Sequence, residues 1–142
     1  MKNSMEIKFK AIKENQSFAR NVVASFILPL NPSLNELADI KTAVSEAVTN
    51  VVVHAYPEKT GYVNMKINIL DNKVRITISD NGVGIQDIER ALTPFYTSKP
   101  NDERSGMGFT VMESFMDKLE VKSGKGLTVS MEKEIEESVV GI

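Results

Sequence analysis

Asp80-Asn81-Gly82-Val83-Gly84 sets a carboxylate and two alternate glycines at the point where a strand-like pattern stops. A carboxylate held at a strand end can accept a hydrogen bond from a ligand amine. Glycines two apart let the backbone turn with positive φ and come close to something flat or charged. The same residues also suit a plain hairpin turn, because Asn-Gly is a strong turn dipeptide. A second group, Glu46 and Asn50, lies four residues apart, hence one above the other on a helix face. A carboxylate beside a carboxamide suits a divalent cation, which would take the neutral amide oxygen, or a water that must lose a proton to Glu46. Solvated helix faces carry the same pair routinely. A third group, Gly106-Met107-Gly108, runs directly into the apolar helical stripe Phe109, Val111, Met112, Phe115 and Met116. Bare amides and the positive dipole end of that helix then form an anion site. Lys99, Arg104 and the hydroxyls of Thr97, Ser98 and Ser105 stand just upstream, placed to surround a phosphate chain. The alternative is a glycine hinge beside a solvated loop.

The elements that must position these groups follow from periodicity. Residues 5–11 alternate as a strand, and being terminal and lysine-bearing it is expected at a sheet edge. Phe18, Val22, Val23, Phe26 and Ile27 recur at helical spacing after the candidate caps Asn15 and Ser17, with the helix ending near Pro29. Pro32-Ser33 opens a longer helix whose stripe is Leu34, Leu37, Ile40, Val44, Ala47, Val48 and Val51, and Ser33 with Glu36 forms a capping box. Glu46 and Asn50 ride on the other side of it, and His54 continues their line as a capping or packing residue. Residues 62–70 and 74–79 read as a hairpin closed at Asp71-Asn72-Lys73. A short helix over 87–92 follows and breaks at Pro94. Residues 93–105 have no period of either kind, which in a compact domain marks a functional lid or a disordered stretch. Residues 119–122 and 128–131 form a closing hairpin around 123–126, followed by an acidic tail.

Composition narrows the classes. The length suits one domain, with 42% hydrophobic and 25% charged residues, the proportions of a globular protein. Net charge is −2, so no bulk attraction to nucleic acid or to a membrane surface is expected. Without cysteine and with a single histidine, neither a disulfide framework nor a transition-metal cluster is expected. The N-terminal residues lack the apolar run of a signal peptide, and no window approaches a spanning helix, so the cytoplasm is the expected compartment.

Glu46-Ala47-Val48-Thr49-Asn50, Asp80-Asn81-Gly82-Val83-Gly84 and Gly106-Met107-Gly108-Phe109 resemble, in order and spacing, the N, G1 and G2 boxes of the gyrase, Hsp90, histidine-kinase and MutL (GHKL) ATPase superfamily. The resemblance covers nearly the whole chain. It implies a single domain over 1–142, a two-layer α/β sandwich of the Bergerat type with helices on one face of a mixed, mostly antiparallel sheet, and ATP or ADP held with Mg²⁺ beneath a lid at about 93–107. It also implies roles: Asp80 reading the adenine amino group, Gly82 and Gly84 passing beneath the base, Asn50 ligating Mg²⁺, Glu46 as general base. The segment from Thr97 through Ser98, Lys99, Arg104, Ser105, Gly106 and Met107 to Gly108 would close over the triphosphate. The family's last adenine-side motif, G-x-G-[S/T], stands here as Gly124-Lys125-Gly126-Leu127, with Thr128 one place late.

Within the superfamily, a sensor kinase carries a phosphoacceptor histidine on a dimerisation hairpin, whereas His54 lies inside the nucleotide-binding helix. Gyrase, Hsp90 and MutL relatives carry a following transducer domain, for which these residues leave no room. The runs 14–20 and 36–56 resemble the anti-sigma factor serine kinases of spore-forming bacteria, the sporulation branch more than the stress-response branch. That resemblance implies a homodimer that holds a sporulation sigma factor of the F type inactive and uses Mg·ATP to phosphorylate a serine on an anti-anti-sigma factor. Arg20 and its helix are the expected part of the partner surface. Two other classes stay open: a module that uses ATP only as a conformational ligand, and an interaction domain whose glycines are merely turns.

Overall fold

The computed structural model describes residues 1–57, 59–84 and 108–136. Chain order is β1 (Lys2–Lys10), α1 (Asn15–Ile27), a short 3-10 turn (Leu28–Leu30), α2 (Leu34–Asn50), a π-helical turn (Val51–Ala55), β2 (Tyr62–Leu70), β3 (Lys73–Ser79), α3 (Gly108–Phe115), β4 (Lys118–Gly124) and β5 (Gly126–Glu134). The expected helix over 87–92 and the lid at 93–107 lie outside the described residues.

Five strands form one sheet in the order β1-β2-β3-β5-β4, and every pairing among them is antiparallel, in keeping with the mostly antiparallel sheet expected. β1 is an edge strand, as its lysines predict, and it runs three residues further toward the N-terminus than its alternation suggested because Lys2 to Lys10 all find partners in β2. The β2–β3 connection is tighter than expected: Leu70 pairs with Lys73, and Asp71 takes a left-handed φ of 56°, which a short polar side chain tolerates. The closing hairpin is tighter too. Gly124 pairs with Gly126, leaving Lys125 alone at the tip, and Gly126 takes φ 89°.

The strands have two unlike faces. Met65, Ile67, Ile69, Val74, Ile76, Ile78, Val129 and Met131 are buried on one, and the described helices α1, α2 and α3 pack there. The opposite face is polar: Arg75 pairs with Glu132 at 2.8 Å, and the hydroxyls of Thr77 and Ser130 lie 3.4 Å apart. One apolar and one solvated face is what strict alternation in an antiparallel sheet produces. The two-layer α/β sandwich is thereby observed.

α1 divides its apolar residues. Ala19, Val23 and Ile27 enter the core, while Phe18, at 49% exposure, joins Val22, Phe26 and Met5 along an open groove beside the edge strand. Seven apolar residues in the ten from Phe18 to Ile27 cover more arc than one core-facing stripe, so period alone could not separate those two faces. Neither expected cap serves this helix. Glu14 occupies the cap position with no side-chain bond, and the Asn15 side chain instead donates to the Lys10 carbonyl.

α2 is central, packing against α1 on one side and α3 on the other. Its start is the predicted capping box: the Glu36 amide donates to Ser33 Oγ at 3.1 Å and the Ser33 amide to Glu36 Oε1 at 2.8 Å. Glu36 Oε2 also accepts from the Glu136 amide, tying the helix start to the chain beyond β5. Partial burial pushes the Glu36 carboxyl upward, but those amides outweigh it and hold the group below the usual range. Lys133 secures the other helix, donating to the last-turn carbonyl of Phe115 at 2.7 Å with Asp39 of α2 at 3.7 Å.

Ser33→Ala should therefore cost about 1 kcal/mol. Urea unfolding should show a lowered midpoint at unchanged slope, and an unmoved midpoint would count against the capping box as a stabiliser of α2.

Candidate functional site

β3 ends at Ser79, and Asp80 follows as the one buried polar or charged residue among those described. Its amide donates to the Leu127 carbonyl at 3.0 Å, so the chain remains clamped to the start of β5 for one residue beyond the ladder. The carboxylate then turns back on its own loop. Oδ1 accepts from the Gly82 amide at 2.8 Å and from the Leu127 amide at 3.3 Å, and neither amide reaches Oδ2. Burial pushes the Asp80 carboxyl up from its ordinary value, and the two amides counter this only in part. With one oxygen anchored and, among the described residues, no donor on the other, the carboxylate can receive a ligand donor.

The glycines of this loop have different reasons. A side chain on Gly82 would meet the Ala55 carbonyl at 2.1 Å, so Gly82 is required by close packing on the end of α2. Gly84 has φ 70° and abuts the β4–β5 tip, where an added Cβ would lie 2.7 Å from Ser123 Oγ. Gly126 lets the β5 strand approach Asp80, since its added Cβ would fall 2.0 Å from the Asp80 carbonyl oxygen.

The end of α2 carries the second group. Glu46 and Asn50 share a face and are half-buried. Among the described residues, Asn50 Nδ2 is the one buried side-chain nitrogen or oxygen with no hydrogen-bond partner. An enclosed amide that nothing in the protein holds costs free energy unless something else engages it. The helix then widens into the π turn, and Tyr56, restricted to extended φ by Pro57, leaves it at φ −128°. His54 lies in this wider turn, off the strict four-residue line of Glu46 and Asn50.

Two successive residues here grip the Asp80 loop. The Ala55 carbonyl accepts from the Val83 amide at 3.0 Å, and the Tyr56 hydroxyl accepts from the Asn81 amide at 3.0 Å while donating to the Tyr62 carbonyl at 2.7 Å. The fold thus joins the Asp80 loop to the end of α2, which is packed on α3, headed by the buried Gly108. Thr97, Ser98, Lys99, Arg104, Ser105, Gly106 and Met107 lie outside the described residues.

Thr128 is set elsewhere. Along β5, Leu127, Val129 and Met131 are buried, so Thr128 shares the opposite face with Ser130 and lies across from Ser79. The backbone of Leu127, rather than the Thr128 side chain, meets Asp80; a one-residue displacement in a strand reverses the face. Arg20, on α1, donates to Ser17 Oγ at 3.3 Å. Sequence reasoning missed Tyr56, Ala55, Leu127 and the second use of Gly126. Only Tyr56-Pro57 at a helix end carried a local signal.

Residues 9–133 match the model of the histidine kinase-like ATPase domain family. A protein of Caldanaerobacter subterraneus subsp. tengcongensis named anti-sigma F factor is 54% identical over 135 residues, covering 94% of each chain. A protein of the same name from Geobacillus kaustophilus is 50% identical over 141 residues, covering 97% of each. Among solved structures, the RsbU and RsbW domains of a Mycobacterium tuberculosis protein superpose with a TM-score of 0.64 at 18% identity. The match spans 94% of this chain and 32% of that one, a likeness of fold.

Asp80 should titrate above the ordinary aspartate range. Between that range and the raised value the folded chain holds a proton that the unfolded chain has lost, so this group's contribution to stability falls as pH rises through the window. Carboxyl-carbon NMR should find one such aspartate, absent in Asp80→Asn; a transition at the ordinary value would contradict the burial.

Proposed function

This chain belongs to the histidine kinase-like ATPase family, among the anti-sigma F factors, and from that premise we propose that it restrains a sporulation sigma factor of the F type and phosphorylates a serine of an anti-anti-sigma factor. It is an anti-sigma factor built on a nucleotide-binding, kinase-like domain. The observation that carries the rest of the reading is the unsatisfied amide of Asn50, enclosed one helical turn from Glu46.

Asp80 Oδ2 reads the exocyclic amine of adenine, with Gly82 and Gly84 keeping the loop close to the base. Asn50 Oδ1 would hold Mg²⁺, and the Asn50 Nδ2 would then find acceptors on the bound ligand. When bound, Mg²⁺ offsets the phosphate charge. Thr97, Ser98, Lys99, Arg104, Ser105, Gly106, Met107 and the Gly108 amide are read as the lid and phosphate donors, with the lid at about 93–107 of a single domain. Glu46 orients the acceptor serine and takes its proton as the Oγ–P bond forms and the bond from the γ-phosphorus to the bridging oxygen breaks, releasing ADP. Thr128 is not retained as an adenine contact, given the face it occupies.

The groove of exposed Phe18 and half-buried Met5, Val22 and Phe26 beside the edge strand β1 supports the homodimer, because accessible apolar surface next to a strand edge invites a second copy. Arg20, on the same helix, is read as a partner contact. No described helix is long and apolar enough to cross a membrane.

Incubation with ATP, Mg²⁺ and an anti-anti-sigma factor should yield one phosphoserine by mass spectrometry, and an unmodified partner that still binds would leave only a sequestering module. Glu46→Gln should keep nucleotide affinity while slowing transfer on the order of 10²–10⁴-fold, the usual worth of a positioned base. Transfer at the parental rate would remove Glu46 from that role. Asn50→Ala should weaken Mg·ATP far more than metal-free ATP in a titration, and equal weakening would count against the metal contact.

A further inference from the structure

Tyr56 stands where α2 gives way to the loop before β2, and its hydroxyl is used at both ends: it accepts from the Asn81 amide at 3.0 Å and donates to the Tyr62 carbonyl at 2.7 Å. The ring is seated closely. A Cβ on Gly61 would lie 2.1–2.3 Å from three ring carbons, so the backbone at Gly61 lies flat against the aromatic face and the hydroxyl has little freedom to wander. Next to it, the Ala55 carbonyl takes the Val83 amide at 3.0 Å and Gly82 packs on the same carbonyl. Three consecutive loop residues, Asn81, Gly82 and Val83, are therefore held by two consecutive residues at the end of the helix that bears Glu46 and Asn50. Ala55 can do this because it ends the turn: carbonyls inside a helix are committed to its own later amides, whereas a terminal carbonyl is open to an outside donor.

We propose that Tyr56 is a positioning residue that sets the Asp80 carboxylate for base selection, by fixing the Asn81 amide and through it the loop that Asp80 Oδ1 anchors at Gly82. The inference rests on the reading of Asp80 as the adenine contact and extends it to a residue that does not touch the base. With the hydroxyl present, the loop has one conformation and Oδ2 is presented in one direction. Without it, the Asn81 amide loses its acceptor and the loop gains alternatives that compete with the base-reading geometry. The effect falls on discrimination. Guanine carries a carbonyl where adenine carries its 6-amine, so at the position Asp80 reads it presents an acceptor in place of a donor and its binding gains little from a fixed carboxylate, while an adenine nucleotide loses what orientation supplied.

Titration calorimetry of the native protein and Tyr56→Phe with Mg·ATP and Mg·GTP tests this. The variant keeps the ring over Gly61 and removes one neutral hydrogen-bonding group, so ATP affinity should fall about three- to tenfold. GTP affinity should hold, and the ATP:GTP ratio should narrow by the same factor. An unchanged ratio overturns the proposal, because a general loss of stability would not move it. Failure of the native protein to bind ATP overturns the nucleotide reading and this proposal together, whereas native binding with an unaltered variant ratio overturns this one alone. Amide exchange in the native, nucleotide-free protein is independent of whether the variant folds: Asn81 should be protected, and exchange at the free-peptide rate would also overturn the assignment.

Discussion

One buried carboxylate organises this end of the molecule. Asp80 is removed from water just past the last rung of β3, and a carboxylate in that position is tolerable only while amides face it. Those amides come from two places, Gly82 in its own loop and Leu127 at the head of β5. The loop cannot move from the sheet without stranding the charge. The pairing of β3 with β5 is thus a condition of the site as well as of the fold, and Gly126 is the point where both demands meet, since only a residue without a side chain lets the two backbones come so close.

The second constraint is the way α2 ends. Its start is closed by side chains, with Ser33 and Glu36 serving each other's amides and Glu136 adding a third bond. Its end is left to the rest of the protein. Widening into the π turn, it hands the Ala55 carbonyl to Val83 and the Tyr56 hydroxyl to Asn81. A rigid helix core carrying Glu46 and Asn50 is therefore joined to the loop that carries Asp80, and neither group can be displaced without disturbing the other. Against this background of satisfied groups the bare Nδ2 of Asn50 stands out among the described residues, and it is the observation on which the proposed nucleotide site rests.

The two faces of the sheet divide the labour. The inner face buries aliphatic and methionine side chains against α1, α2 and α3 and provides the fixed floor. The outer face carries exposed or half-exposed ion pairs such as Arg75–Glu132 and Lys118–Glu132, whose contribution to stability is modest in water but which keep the sheet solvated on that side. The edge at β1 is less protected, with apolar groove residues beside open backbone, and that asymmetry suits a chain that works against other protein surfaces.

Read by itself, the chain determined the type and order of nearly every described element, because alternation in β2 and β3, the stripe of α2 and its capping box are local signals that tertiary contacts reinforced. It also determined that Glu46 and Asn50 share a face and that a carboxylate stands at a strand end, both consequences of fixed periodicity. Local pattern could not choose between the two apolar arcs of α1, since Ala19 is core and Phe18 is not only by virtue of what α2 and β1 occupy. Nor could it tell a glycine needed for a turn from one needed for contact: Gly82 and Gly126 are small because Ala55 and Asp80, 27 and 46 residues away, press against them. The face of Thr128, the grip of Tyr56 on Asn81 and the unpartnered amide of Asn50 were decided by the tertiary structure alone, because each depends on residues brought together only when β5 and the end of α2 close on the same loop.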